Sequence, residues 1–295
     1  MKDVPMRTMM TRGFRSAFLL SGLLLSTLAH AFTASLPFPL KEEKFTIAVT
    51  GDAPSGWNDV PTGAYTIPDT RVVVTKARKI SRTEGAFGIL GVLAAHSAGS
   101  EDGKAVIGEH AQAFRVDLKS EAEQILAAKR NQAALPNWVT EADAAHTLKL
   151  TPYIFVTPLE KGTARVYTVV KAALVDANES ESWWTRYIAY PAEVRPLTGE
   201  ASWTEKDGAA FKRAATAGLA EAIDAMLRQL HADTAAAPRK PVMLETMFAG
   251  VSELIDVKGE LLQEAPEQLI FSPVQGKGSI IYGVHILPRK DVRLH

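Results

Sequence analysis

The chain of 295 residues contains no cysteine. It therefore forms no disulfide bond, offers no thiolate to a metal ion and has no cysteine nucleophile. A fold without such cross-links must be held by a hydrophobic core, and 46 % of the residues are hydrophobic against 22 % charged, a balance typical of globular proteins. The length is sufficient for one large domain or two small ones.

The amino-terminal segment 1–31 predicts export. It begins with four basic residues and one acid, continues with an apolar run at 16–28, and ends in Ala29-His30-Ala31, a small-x-small pattern that signal peptidase recognises. The run is about 13 residues long, whereas a membrane-spanning helix needs roughly 20. We expect cleavage after Ala31 and a periplasmic or secreted protein, with an uncleaved amino-terminal anchor as the alternative.

Charge and hydropathy narrow the range of partners. Basic and acidic residues number 33 each, and removal of the signal takes away four basic residues and one acid, which leaves a net charge of −3. This balance disfavours nucleic acid and anionic membrane surfaces, because both attract basic proteins. No later segment has the length and apolarity of a transmembrane helix. We therefore expect no transmembrane segment after signal cleavage.

Apolar periodicity predicts an α+β fold. Alternating or β-branched segments predict strands, and apolar residues at steps of three and four predict two helices. The predicted strands are 44–50, 71–75, 147–157, 164–175, 183–190, 268–273 and 279–287, and the predicted helices are 118–134, with Ser120 as N-cap, and 205–232, with Thr204 as N-cap. Short polar turns between neighbouring strands favour antiparallel pairing. We expect a mixed or antiparallel sheet with the helices packed mainly on one face.

The predicted domain organisation has one principal domain. After the signal, residues 32–234 are assigned to the α+β domain, residues 235–241 to a linker rich in alanine and proline, and residues 242–295 to a strand-rich carboxyl-terminal extension. The extension contains the last predicted hairpin. The alternative organisation is two small domains joined at this linker.

An aromatic stretch coincides with the strand predicted at 183–190. Successive side chains of a strand face opposite sides, so both faces of this strand carry large rings. One interpretation is that both faces are covered in the core. The other is a binding surface, because Trp, Tyr and Arg contribute strongly to interfaces. The candidate binding residues are Trp183, Trp184, Tyr187, Tyr190 and Trp203.

A glycine-spaced apolar segment, 85–95, is a second candidate contact surface. Gly85, Gly88 and Gly91 recur at steps of three, which would let a helix approach another backbone closely. The segment is either a buried element or one that contacts a partner or the membrane periphery. Its candidate contact residues are Phe87, Ile89, Leu90 and Leu93.

No catalytic or metal-binding motif is recognisable. The histidines lack metal-ligand spacing, and neither the Gly-x-Ser-x-Gly motif nor the phosphate-binding loop occurs. The loop 51–63, which contains Asp52, Ser55 and Trp57 after a predicted strand, is the candidate for a hydrolase site, since active sites collect on such loops. The sequence therefore predicts no catalytic residues, no metal and no cofactor, and it leaves enzyme activity open.

The order helix, three strands, helix over 118–232 carries a family resemblance. A strand that ends in Leu174-Val175-Asp176-Ala177, a polar turn, and a next strand that opens with Trp183-Trp184 resemble the small α/β domain of bacterial envelope proteins. That group includes the amino-terminal domain of the Tol-system translocation protein, the curli-secretion lipoproteins and the lipoprotein activators of peptidoglycan synthases. Those families usually carry a lipidation cysteine or a propeller, which this chain lacks. The resemblance implies a protein-interaction module without catalytic residues.

The expected function is therefore that of an exported, non-catalytic cell-envelope protein that binds an envelope protein partner. A periplasmic hydrolase with its site on the loop 51–63 is the competing class. A histidine close to a buried Asp52 would favour the hydrolase, and an exposed aromatic surface would favour the module.

Overall fold

The structure is a computed structural model. It describes residues 38, 43–54, 60, 64–75, 108–132, 134–141, 144–159, 162–231, 239–251, 253–274 and 279–295. The predicted signal at 1–31 and the glycine-spaced segment at 85–95 lie outside the described residues, so both stay predictions. The described residues belong to one unit, Ala34–His295.

The described residues form one sheet of twelve strands. The strands are β1 (Phe45–Val49), β2 (Tyr65–Thr66), β3 (Val72–Val74), β4 (His146–Pro158), β5 (Thr163–Asp176), β6 (Glu181–Ala189), β7 (Arg195–Pro196), β8 (Lys240–Thr246), β9 (Ile255–Glu264), β10 (Gln268–Pro273), β11 (Val284–Pro288) and β12 (Arg293–Leu294). Neighbours run in the order β12-β8-β9-β10-β11-β6-β5-β4-β3-β2, with β1 also paired to β4 and β7 to β5.

The long strands β4, β5 and β6 form the centre of the sheet. They are antiparallel neighbours, as their short connecting turns predict. Parallel pairs occur elsewhere: β1 and β3 both pair with β4, and β11 pairs with β6. The sheet is therefore mixed, which confirms the predicted α+β class.

The helices α1 (Leu118–Asn131) and α2 (Glu205–Leu230) lie on one face of the sheet. Their buried apolar residues join residues of β4, β5 and β6 in one cluster, the helix-side core. The apolar stripe predicted for α2 is buried along its whole length, with exposed fractions of 2 % or less for Phe211, Ala215, Leu219, Ala222, Met226 and Leu230. This arrangement confirms that the helices pack on one face.

Both helix starts differ in detail from the predicted caps. Asp117, and not Ser120, is the N-cap of α1, because its Oδ1 accepts a hydrogen bond from Ser120 N at 3.1 Å. The prediction of Ser120 was wrong because the carboxylate three residues earlier fills the same role. Thr204 occupies the N-cap position of α2, but its hydroxyl donates to Leu197 O at 3.1 Å instead of capping the helix.

A left-handed turn follows the N-cap of α2. Lys206, Asp207 and Gly208 have φ of 51°, 54° and 75°. A β-carbon at Gly208 would lie 1.9 Å from the carbonyl oxygen of Ala113, in the 3₁₀ helix Gly108–Phe114. Glycine is thus required at position 208 both by its backbone conformation and by the close approach of that helix.

The opposite face of the sheet covers a second cluster, the strand-side core. Residues from β3 to β6 and from β8 to β11 contact one another there, among them Tyr153, Tyr190, Leu244 and Phe271. Strands from distant places in the sheet order therefore meet in one cluster. The sheet must curve around this core to bring them together, as sheets of many strands do.

The carboxyl-terminal region continues the same sheet. The predicted hairpin is confirmed, because β10 and β11 are antiparallel neighbours. The assignment of 235–241 to a linker was wrong at its end, because β8 begins at Lys240 and Pro241 pairs with Glu260 of β9. Proline is tolerated there because its missing N–H faces the outer edge of β8 and would not bond β9.

Truncation of Leu219 should be costly. This side chain is fully buried in the helix-side core, so Leu219→Ala should lower the free energy of unfolding by roughly 2–5 kcal/mol. The exposed Arg213 on the same helix provides the control, and Arg213→Ala should change stability by within about 0.5 kcal/mol. Urea denaturation of both variants measures the difference, and equal small effects would contradict the packing of α2.

Candidate functional site

The aromatic residues proposed as a binding surface are all buried. Their exposed fractions are 7 % or less, for Trp183, Trp184, Tyr187, Tyr190 and Trp203. Trp183, Tyr187 and Trp203 belong to the helix-side core, whereas Tyr190 belongs to the strand-side core. The alternation of faces along β6 is therefore as predicted, but both faces are covered. These rings do not form an exposed surface in the structure.

Their polar atoms are used inside the fold. Trp203 Nε1 donates to Ala164 O at 2.8 Å, which joins the start of α2 to β5. Tyr187 OH donates to Gln229 Oε1 at 3.1 Å on α2. Buried Trp and Tyr usually find such partners, because an unbonded polar atom in a core is costly. These contacts give the aromatic residues a structural role.

Tyr190 and His285 form a buried polar pair in the strand-side core. Tyr190 OH lies 2.7 Å from His285 Nδ1 and accepts from Ala249 N at 3.1 Å. His285 Nε2 lies 2.8 Å from Ile281 O. A carbonyl can only accept, so Nε2 carries the proton and Nδ1 accepts from the tyrosine. The pair fastens the segment after β8 to β11.

Burial controls the protonation of this pair. It lowers the pKa of His285 to about 3; the hydrogen bond to Ile281 opposes the shift and the nearby charge of Arg186 adds to it. Burial also raises the pKa of Tyr190 well above its usual value. Both side chains are inaccessible, with exposed fractions of 0 % and 4 %. A general acid or base must reach its substrate, so the geometry favours a structural role for this pair.

Arg186 is a buried cation that bonds main-chain carbonyls. It is 2 % exposed, its Nε donates to Tyr282 O at 3.0 Å and its Nη2 donates to Ser279 O at 2.9 Å. The guanidinium also lies 5.9 Å from the ring centroids of Trp184 and Tyr282. Cation–π contacts and several donors suit arginine to such a site. Arg186 thereby anchors the turn before β11 to β6.

The loop that follows β1 does not assemble a hydrolase site in the part of the chain that the structure describes. Asp52 is exposed, and its carboxylate accepts from the hydroxyl of Thr50. None of the contacts of Asp52 among these residues involves a histidine, and His146 lies instead 3.8 Å from Glu43. Ser55 and Trp57 lie outside the described residues. Metal ligands are not grouped either: no three His, Asp or Glu side chains of the described chain converge.

Among the described residues, one edge of the sheet has unpaired backbone groups at β1. Thr50 N donates to Leu150 O of β4, whereas Phe45 N donates to Trp138 O on the other side. The main-chain N–H and C=O groups of successive residues in a strand point to opposite sides. Ile47 and Val49 therefore point these groups away from β4, as Phe45 does. Neither residue has a backbone partner there among the described residues. This open stretch is called the β1 edge.

A shallow cleft adjoins the amino-terminal end of the β1 edge. Its volume is about 370 Å³, and Leu135, Pro136 and Val139 supply its apolar lining. An ion pair of 2.9 Å between Arg130 and Glu141 borders it. The cleft is continuous with β1, because Val139 forms a parallel bridge with Phe45. The segment 138–140 thus occupies the beginning of the position that an added strand would take beside β1.

Two basic side chains lie at the other end of the β1 edge. A β-carbon built on Gly51 would lie 3.5 Å from Arg71 Nη2 and 3.8 Å from Lys119 Cδ. Nη1 of Arg71 is buried and has no hydrogen-bond partner in the part of the chain that the structure describes. Burial lowers the pKa of Arg71, and the nearby carboxylates of Asp117 and Asp52 oppose this shift. Arginine stays charged under such conditions, so this end of β1 presents a cation.

The other described edges of the sheet are protected against pairing with a further strand. On β8, Met243 O accepts from His295 N, and Pro241 two residues earlier faces the same side without an N–H to donate. On the far edge, β2 has only two residues. Short edge strands and proline are the means by which proteins prevent unwanted strand pairing. The β1 edge carries neither protection along Ile47 and Val49.

Apolar side chains do not supply an alternative surface among the described residues. The large exposed ones are Val194, Leu254 and Val274, and they lie on three different loops. Isolated exposed apolar residues are normal and do not indicate an interface. No helix of the described chain combines the length and apolarity needed to cross a membrane. The β1 edge and its cleft are therefore the candidate functional site.

Comparisons with protein-family models, with curated proteins and with solved structures found no match. The candidate site consequently depends on its geometry alone. Sequence reasoning missed it, although it predicted a strand at 44–50. Alternating residues reveal a strand but not its neighbours, and an edge is defined only by which neighbours are missing.

Proposed function

We propose that this protein is an exported, non-catalytic module of the cell envelope that binds a protein partner by adding a strand to the β1 edge. The observation that carries the proposal is the pair of outward-facing backbone positions at Ile47 and Val49, which have no partner among the described residues. An extended peptide that joins a sheet edge gains main-chain hydrogen bonds, and neighbouring pockets select its side chains.

The surroundings of the β1 edge support this mode of binding. The adjoining cleft offers an apolar lining at Leu135, Pro136 and Val139, which suits one or two apolar side chains of an added strand. The segment 138–140 already pairs in parallel with the start of β1, so an added strand would continue the strand position beside β1 that this segment begins to occupy. Envelope localisation rests on the signal at 1–31 and on the resemblance of 118–232 to envelope domains.

Removal of a single outward N–H should abolish partner binding. Val49→Pro deletes a donor that faces away from β4, so the sheet should keep its internal ladder and its stability. Val49→Thr keeps the donor and nearly the same shape, and it is the matched control. A photo-crosslinking amino acid at the exposed position 48 should form a protein adduct in the exporting cell. We expect this adduct to persist with Val49→Thr and to disappear with Val49→Pro.

Two further measurements make this test decisive. The same crosslinker at Lys258, which is exposed on β9, should give no adduct that depends on position 49. Ala48→Pro removes a donor that faces β4 and should unfold the protein in thermal denaturation, which checks the assignment of the two sides of β1. An adduct at position 48 that survives Val49→Pro, or the absence of any adduct, would contradict strand addition.

Export should leave a processed chain. Cleavage after Ala31 would give a mature protein that begins at Phe32, because Ala29-His30-Ala31 follows the apolar run. Intact-mass measurement of protein from the exporting cell should detect this form. A mature protein that still begins at Met1 would contradict the predicted cleavage.

A further inference from the structure

We infer that the occupant of the β1 edge is the carboxyl-terminal end of a partner polypeptide, bound parallel to β1 with its terminal carboxylate against Arg71. This inference rests on the proposed function and names the chemistry of the partner. The observation that carries it is the position of Arg71 and Lys119 against Gly51, where β1 ends.

Arg71 has unused binding capacity. Its Nη1 is buried without a hydrogen-bond partner, and it forms no ion pair within the described part of the chain. The carboxylates of Asp52 and Asp117 act on Arg71 through their charge, but neither bonds its Nη1; Asp52 accepts from Thr50, and Asp117 caps α1 through Ser120 N. A guanidinium binds a carboxylate through two parallel N–H donors, and this charge-assisted geometry is among the strongest that proteins use.

The position of Arg71 and the existing parallel bridge indicate the direction of the peptide. Arg71 and Lys119 lie at the carboxyl-terminal end of β1, where the charges of Asp52 and Asp117 also act on Arg71. An antiparallel peptide would bring its amino-terminal half to the basic side chains. A parallel peptide instead brings its carboxylate to Arg71, in the same direction as the bridge between Phe45 and Val139.

The length of the open edge limits the number of residues bound. From Ile47 to Gly51 the strand covers roughly 13 Å at about 3.3 Å per residue. About four residues of a peptide fit beside this stretch before the carboxylate reaches Arg71. Recognition should therefore depend on the last four residues of the partner and on the free α-carboxylate.

The experiment uses two peptide sets with identical sequences. Each peptide is attached through its amino terminus and varies at its last four positions; one set ends in a free carboxylate and the other in an amide. The purified protein should bind members of the acid set, and amidation should weaken the best of them by about tenfold or more in fluorescence anisotropy. The acid and amide forms of one sequence are then measured on each protein variant. The difference in affinity between the two forms identifies the contact with the carboxylate.

Arg71→Gln should reduce binding of the acid peptide to that of the amide and leave the amide unchanged. Arg71→Lys, which keeps the charge but not the two-pronged geometry, should lie between them. Arg213→Gln, at an exposed position on α2, is the control and should change nothing. Circular dichroism verifies the fold of each variant. Equal binding of acid and amide, or an Arg71→Gln variant that still prefers the acid, would overturn the inference.

The outcome separates this inference from the proposed function. If Val49→Pro abolishes binding of acid and amide alike while Arg71→Gln has no effect, strand addition holds and carboxylate recognition is wrong. If neither peptide set binds while the adduct at position 48 still depends on Val49, the partner is an internal segment and the inference is again wrong. If the adduct is also absent, the proposed function fails with it.

Discussion

Acidification should weaken this fold strongly through His285. The imidazole is neutral and fully buried in the native state, and burial lowers its pKa from 6.5 to about 3. Between these values the unfolded chain binds a proton that the folded chain does not, so the free energy of unfolding falls as the pH falls. Each pH unit in this window is worth about 1.4 kcal/mol, and the whole window about 5 kcal/mol. The stabilisation is fully present above about pH 6.5.

The variant His285→Gln isolates this contribution. Glutamine supplies a donor and an acceptor without a titrating group, so Tyr190 and Ile281 O can retain partners. Arg186 and Tyr190 are the ionisable groups that act on His285, and both stay in place. Urea denaturation over a pH series should show a steeper acid loss for the wild type than for the variant. Parallel curves would show that His285 is not the cause.

Substitution of Gly208 should be nearly as damaging. Its φ of 75° costs a residue with a β-carbon roughly 1–2 kcal/mol, and the clash with Ala113 O at 1.9 Å adds an overpacking cost of about 1–3 kcal/mol. Gly208→Ala should therefore lower the free energy of unfolding by about 2–5 kcal/mol. The 3₁₀ helix Gly108–Phe114 should be displaced with it.

Gly162 offers a matched control for the backbone term. Its φ is 72°, and a β-carbon there would have nothing within 4 Å. Gly162→Ala should cost only the backbone penalty, roughly 1–2 kcal/mol. The difference between the two variants in urea denaturation then measures the close approach of the 3₁₀ helix. Equal costs at the two positions would mean that Ala113 moves away without penalty.

The elements with strong local periodicity could be predicted from the sequence. Both helices and the strands β1, β3, β4, β5, β6 and β10 occur where the patterns indicate, whereas β11 begins at Val284, five residues after the predicted start at 279. Their turns are short, which also specified the antiparallel pairs of β4 to β6. The prediction succeeded because apolar spacing in these elements matches the face that each one buries.

β8 and β9 show why other elements were not predicted. Ile255, Val257 and Leu261 alternate along β9, so a signal was present, but Gly259 interrupts it. β8 begins Lys240-Pro241, and proline near a chain of alanines indicates a linker unless the strand is known to be an edge. That knowledge depends on pairing with β9 and β12, which local sequence does not contain.

The candidate site could not be predicted for the same reason, since local sequence does not show which strands are neighbours. Large aromatic residues attract attention as binding residues, yet all of them are covered: Trp184 packs in a small third cluster with Ala173 and Tyr282, and the others lie in the helix-side and strand-side cores. The β1 edge, in contrast, consists of main-chain groups at Ile47 and Val49, whose side chains resemble those of any strand. Arg71 becomes notable only when its Nη1 is seen, in three dimensions, to be buried without a hydrogen-bond partner among the described residues.

The pairing of strands distant in sequence has a consequence for how fast this protein can fold. Thr46 contacts Thr147 across 101 residues, and Tyr190 contacts His285 across 95 residues. Closing such long loops costs chain entropy before the contacts that repay it exist, so folds of high contact order form slowly, in milliseconds to seconds. The strand-side core cannot close until β11 has emerged.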